Sequence, residues 1–171
     1  MSKHWFTAYL TSYYSKGKTL GLDVGSGYRN WHEFFQCKYL AVDLPSKLNQ
    51  VKSKRPDVSC TSCYLPFKDN SFDFLSCYSV IPEIINIDLA LEEMKRVLKP
   101  NGIAIFIVQN LRAMKLNKQN FVNQFDSKML NNKLQSHNFK SIKHKNFQTL
   151  LFSHYYNVTS LYQYAIVKII K

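Results

Sequence analysis

"TLGLDVGSGYRN", residues 19–30, carries an apolar run into an aspartate and then into two glycines separated by one serine. The run reads as a buried strand and the residues from Tyr28 to Cys37 as a helix with Trp31, Phe34 and Phe35 on one face. A turn with glycines at 25 and 27 lets backbone approach a ligand where a β-carbon would collide. The ligand is not a dinucleotide: that fold wants a third small residue three positions after Gly27, where Asn30 stands. Asp23 would also repel a pyrophosphate and attract a cationic ammonium group.

Outward from this turn, "KYLAVDL" (38–44) is a second apolar run ending in Asp43, with Pro45 after it. Asp43 lies where an acid accepts hydrogen bonds from a ribose diol in nucleotide-binding sheets. "VSCTSCYL" (58–65) is a third strand candidate, "SFDFLSCYSVI" (71–81) a fourth and "GIAIFIVQN" (102–110) a fifth. Between the last two, Asp88 is placed to cap a helix with apolar positions 89, 91, 94, 97 and 98, an i,i+4 pair of Glu92 with Arg96, and a stop at Pro100–Gly102. Upstream, "HWFTAYLTSYY" (4–14) is an amphipathic helix. Downstream, Asp126 caps a helix carrying Met129, Leu130 and Leu134, Asn138 ends it in the left-handed region, and "KSIKHKNF" and "LYQYAIVKII" are the last strands.

Alternating strands and helices predict one α/β domain over residues 1–171 with a mainly parallel sheet. Its parts are an N-terminal helix (1–17), a core (18–110) and a C-terminal helix with the final strands (111–171). Ligands bind beyond the carboxyl ends of such strands, where Asp23, Asp43, Thr61 and Cys77 fall.

Composition narrows the partners. Apolar residues make 46% of the chain, which excludes a disordered protein, and no run is long enough to span a membrane. The N-terminus lacks a signal-peptide core and the four cysteines are scattered, so a cytoplasmic protein with reduced thiols is expected. The net charge is +12, and from Lys95 onward 13 Lys or Arg face one acid, Asp126. This reads either as a basic face for an anion or nucleic acid or as lysine-rich composition, since four of 23 cations are arginine. "SKGKT" (15–19) lacks the first glycine of a phosphate loop and precedes its strand, and "CTSC" (60–63) has no second pair to complete a zinc site. No metal is expected.

An adenosine ligand with an amino-acid tail and no pyrophosphate satisfies both Asp23 and Asp43; S-adenosylmethionine is one. Four blocks in order, "LDVGSG", "YLAVDL", "LPFKDNSFDFLSCYSVI" and "LEEMKRVLKPNGIAIF", resemble the class I S-adenosylmethionine-dependent methyltransferases of the type 11 group, over residues 19 to 108. The resemblance implies a Rossmann-like fold with seven strands and S-adenosylhomocysteine as product. It implies Asp23, Gly25, Ser26 and Gly27 at the cofactor's methionine end, Asp43 on the ribose, Leu44, Thr61 and Ser62 around the adenine, and Cys77 and Tyr78 beside the sulfonium. Two positions depart from the family pattern: Arg29 replaces a frequent third glycine, and Thr61 a frequent aspartate.

The chemistry so implied is methyl transfer to an acceptor, with Glu83 the candidate base and the tyrosines of "TSYY" and "SHYYN", with His154, candidate walls of an acceptor pocket. No Asn/Asp-Pro-Pro-Tyr/Phe stands at the fourth strand's end, so a small-molecule acceptor is expected ahead of RNA. The alternatives are a non-catalytic methyltransferase-like partner subunit, or an RNA-directed methyltransferase or RNA-binding module using the basic C-terminal half; a protein partner or a homodimer is the expected association.

Overall fold

The apolar runs become neighbouring strands of one sheet. The computed structural model describes residues 3–27, 31–45, 55–116, 121–150 and 159–169. Helix α1 (Lys3–Ser15) leads into β1 (Leu20–Val24), followed by β2 (Lys38–Asp43), β3 (Val58–Ser59) and β4 (Phe72–Tyr78). Then come α2 (Ile87–Val97), β5 (Leu98–Gln109), α3 (Leu111–Leu116), α4 (Ser127–Ser136), β6 (Phe139–Leu150) and β7 (Thr159–Ile169). The strands form a seven-stranded sheet in the order β3-β2-β1-β4-β5-β7-β6. The first five pair in parallel; β7 lies antiparallel between β5 and β6.

Successive residues of a strand face opposite sides, and each side here has its own core. Leu75, Cys77, Ala104 and Phe106 pack under α2 and α4, with Leu91, Met94, Leu130 and Leu134. Phe74, Tyr78, Ile105 and Ile107 pack on the other side with Leu10 of α1, and Phe6 and Tyr14 close that layer. A strand covered on both faces reads as an unbroken apolar run, which is why β4 and β5 stood out in the sequence.

Several boundaries differ from expectation. Among residues 31–37, where a helix was expected, there is only a single 3-10 turn, His32–Phe34. The aromatic face is buried in another way: Trp31 meets Tyr78 edge-on, and Phe35 stacks on Tyr39. The third strand is two residues long, because Thr61 turns the chain by accepting the Cys63 N–H, 3.1 Å away. The fifth strand starts at Leu98 and runs through the Pro100–Gly102 break, with Asn101 at φ +60° and a register shift against β4.

Asn86, not Asp88, caps α2, accepting the Leu89 N–H at 3.2 Å. Asp88 and Glu92 instead hold the two ring nitrogens of buried His137 at 2.7 Å each, tying α4 to α2. Arg96 pairs with Glu93 and Asp69 rather than Glu92, and also donates to the carbonyls of Leu65 and Phe67. At α4 the expectations hold: Asp126 accepts the Met129 N–H and Asn138 sits at φ +63°, though Met129 itself is exposed.

Candidate cofactor site

The carboxyl ends of β1, β2 and β4 open into a cavity of about 540 Å³, within the range of small-molecule sites. Gly25 and Gly27 form one side, Asp43 and Leu44 a second, and Thr61 with Ser62 a third; Tyr78 and Glu83 also reach it.

The glycine turn is built by backbone pairing. The N–H groups of Gly25 and Ser26 both donate to the Val42 carbonyl, at 2.9 and 3.1 Å. Gly25 has φ +71°, and a β-carbon there would stand 2.1 Å from Val80 Cγ2. A protein side chain, rather than a ligand, therefore fills the space that glycine vacates at this position. Gly27 is the reverse case: at φ +55° its missing β-carbon would meet nothing within 4 Å, and its backbone borders the cavity.

Asp43 ties the turn to β2. Its Oδ2 accepts the Gly27 N–H and its Oδ1 the Leu44 N–H, both at 2.7 Å. A carboxylate has about four lone-pair positions, so each oxygen keeps acceptor capacity beside the cavity. Nearby, burial raises the Cys60 thiol above its ordinary range, and the Asp43 charge adds to the effect.

Two of the residues expected at the cofactor do not border this cavity. Asp23 is buried, takes the Ser76 hydroxyl at 2.7 Å on Oδ1, and does not line the cavity. Val24 and Gly25, which follow it in the chain, do border the cavity. Cys77 is likewise in the core, its thiol pushed far up by burial first and by Asp23 second. Strand alternation explains it, since Cys77 faces the α2 layer. Tyr78 borders the cavity while its hydroxyl is engaged with Thr11 of α1 at 2.9 Å. Of the suggested aromatic pocket, Tyr13 and Tyr14 lie on α1 and do not line this cavity; His154, Tyr155 and Tyr156 fall outside the described residues.

The structure adds a wall that sequence reasoning missed. Ser79, at φ +62°, turns the chain out of β4, and Val80, Ile84, Ile85 and Leu89 then border the cavity. Tyr64 and Ile85 are among the most exposed large apolar side chains, with Leu44 on the same rim. Large apolar groups left in water around one concavity mark a binding surface. The available signal was "VIPEII", an apolar run following a strand end without helical or alternating period.

Comparison with known proteins places these features. A family model described as a methyltransferase domain matches residues 22–106. An uncharacterized protein of Methanocaldococcus jannaschii is 35% identical over 104 residues, 59% of this chain and 45% of that one. The chain spans less than half the length of the curated relatives it matches. A SAM-dependent methyltransferase from Archaeoglobus fulgidus superposes with a TM-score of 0.76 at 13% identity, over 97% of this chain and 94% of that one. An N-methyltransferase of Haemonchus contortus, in complex with phosphomonomethylethanolamine and S-adenosylhomocysteine, superposes with a TM-score of 0.69 at 12% identity, over 98% and 53%.

The residues present fit such a cofactor. Ser26, between the two cavity-lining glycines, does not itself line the cavity; it is buried and its hydroxyl has no hydrogen-bond partner among the described residues. Gly27 leaves an open cradle, and Asp43 has lone pairs to spare for a diol. The turn, the strand-end acid and the Ser-Phe-Asp strand all fall within residues 22–106, the span that belongs to the methyltransferase-domain family, on a fold shared with S-adenosylmethionine-dependent methyltransferases.

Proposed function

We propose that this chain binds S-adenosylmethionine in the cavity and transfers a methyl group from it to an acceptor. The Asp43 clamp carries the reading: one carboxylate fixes the glycine turn and still presents lone pairs to the cavity. Asp43 would hold the ribose diol, and Leu44, Thr61 and Ser62 would flank the adenine. Gly27 and Ser26 would meet the amino-acid end, with Asp23 contributing its charge from below. When bound, the cofactor supplies an activated methyl on a good leaving group, so orientation and exclusion of water furnish much of the rate. For acceptors that must lose a proton, Glu83 is the cavity-wall carboxylate besides Asp43 and would serve as base. A small-molecule acceptor is the first class, because no Asn/Asp-Pro-Pro-Tyr/Phe stands at the end of β4, where "CYSVIPE" runs instead. RNA is the second, favoured by the net charge of +12.

Calorimetric titration with S-adenosylmethionine and S-adenosylhomocysteine tests the site. Wild-type protein should bind both with micromolar affinity, and Asp43→Asn should weaken both by about tenfold or more. Glu83→Gln should bind as wild type. Unchanged affinity in Asp43→Asn, with circular dichroism showing a folded chain, would remove Asp43 from the site.

A further inference from the structure

The sheet face that packs on α1 ends in three lysines that nothing in the fold neutralises. Lys140 of β6 and Lys168 of β7 are register partners, and Lys143 stands opposite Ile166, two positions from Lys168 along β7. Residues directly opposite one another, or two apart along a strand, share a face. Ile166 identifies which face it is, because it is buried in the layer that holds Leu10 of α1. The cover stops there: Lys140, Lys143 and Lys168 are all exposed.

None of the three makes an ion pair among the described residues. The sequence explains why, since α1, β5, β6 and β7 contain no aspartate or glutamate. Directly opposed residues have β-carbons roughly 5 Å apart, and like charges so placed are destabilising. Edge protection accounts for only part of this arrangement. β6 is the outer strand, and its lysines, with the irregularity between Ser141 and Lys143, discourage pairing with another chain. Lys168 is on β7, inside the sheet, where it guards no edge and opposes Lys140.

Charge identifies what fits there. Two strand positions span about 7 Å, so the ammonium groups are spread over a length that suits a chain of repeated anions rather than one small anion. A nucleic-acid strand carries one phosphate per nucleotide, and lysine meets phosphate as a point charge without reading the base. A second copy of this chain would bring a net charge of +12 to the same face and be repelled. We propose that the Lys140, Lys143 and Lys168 face of β6 and β7 binds the phosphate backbone of a nucleic-acid strand, without sequence preference. None of the three lines the cofactor cavity, so this surface has a readout separate from methyl transfer.

The experiment is fluorescence anisotropy on full-length protein with a labelled, unstructured oligonucleotide of about twelve nucleotides, at several salt concentrations. Wild type should bind with an affinity that falls as salt rises. Lys140→Gln/Lys143→Gln/Lys168→Gln should bind at least about tenfold more weakly at low salt, and its log–log salt slope should be shallower by about 2. Lys16→Gln/Lys38→Gln/Lys68→Gln removes the same charge from exposed lysines outside β6 and β7 and should stay within about threefold of wild type. Both triple variants should titrate S-adenosylmethionine as wild type does, which separates failure here from failure of the cavity. Lys168→Gln alone should melt at or above the wild-type temperature, because it removes the opposed pair. No binding by wild type would overturn the proposal, and so would equal weakening in the two triple variants, which would mean that net charge alone attracts the strand. A lower melting temperature in Lys168→Gln would overturn it too, by showing that this lysine has a partner inside the protein. Lysine-dependent binding to phosphatidylserine vesicles, with none to the oligonucleotide, would assign the face to a membrane surface instead.

Discussion

Asp73 and Asp43 make the same kind of contact at opposite ends of the sheet, and the difference between them separates scaffold from site. Asp73, near the start of β4, accepts the N–H groups of Thr19 and Leu20 at 3.0–3.1 Å and has Lys99 at 3.5 Å. Burial alone would raise its pKa, but these donors outweigh it and hold the carboxyl below the usual carboxylate range. Its acceptor capacity is used up in fixing where β1 begins. Asp43, at the end of β2, takes one N–H on each oxygen and stands beside an open cavity. Arg96 extends the scaffold end, drawing Leu65, Phe67, Asp69 and Glu93 onto the last turn of α2. A saturated carboxylate stabilises; a half-used one waits for a ligand.

Substitutions at the two ends should therefore fail differently. The largest effect is expected from Gly25→Ala, which combines a left-handed backbone with a β-carbon 2.1 Å from Val80 Cγ2. Urea unfolding should show a loss of about 3 kcal/mol, and calorimetry a loss of cofactor binding. Adding Val80→Ala should recover part of the stability, because it relieves the contact but not the backbone strain. Arg96→Ala comes next, at about 2 kcal/mol, reduced from the value for a buried ion group because the side chain is 31% exposed. Its affinity for S-adenosylmethionine should change less than about twofold; a larger loss would show that the two ends are coupled.

Asp73→Asn should cost the least, about 1.5 kcal/mol at neutral pH, and its pH dependence is diagnostic. Because the folded pKa is depressed, the contribution is fully present above the unfolded value of about 3.9. It is lost as pH falls through the still lower folded value. The stability gap between wild type and Asp73→Asn should be constant from neutral pH down to about pH 5 and close in stronger acid. A gap that persists there would mean the amide keeps the scaffold contacts of the carboxylate differently from the account above.

The features legible in the sequence were those whose cause is local. The glycine turn reads directly because left-handed φ at 25 and 27 suits glycine above other residues. The strands around it read as apolar runs because both faces are covered. Asn86 and Asp88 were not separable, since either can cap and the choice rests on burying Ile87. Over the described residues 31–37 the expected helix is replaced by a single turn, because the aromatic rings there pack on β2 and β4 rather than along a helical face. Cys77 was assigned to the cavity because a doubly buried strand has no periodic signal to show which face a residue takes. The wall from Val80 to Leu89 needed the tertiary fold, as it exists only where the turn at Ser79 redirects the chain.

The strand order also constrains how the chain assembles as it is made. β6 leaves the ribosome before β7, yet its final place is the outer edge, with β7 between it and β5. Through that interval β5 presents an open edge to the wrong neighbour, and a premature β5–β6 pairing would have to be undone before β7 enters. The local solution is for β6 and β7, consecutive and antiparallel, to zip together first and dock as a unit through β7. The sheet reaches its native order only once β7 is available to stand between β5 and β6, so the cofactor half and the C-terminal edge are completed by different parts of the chain.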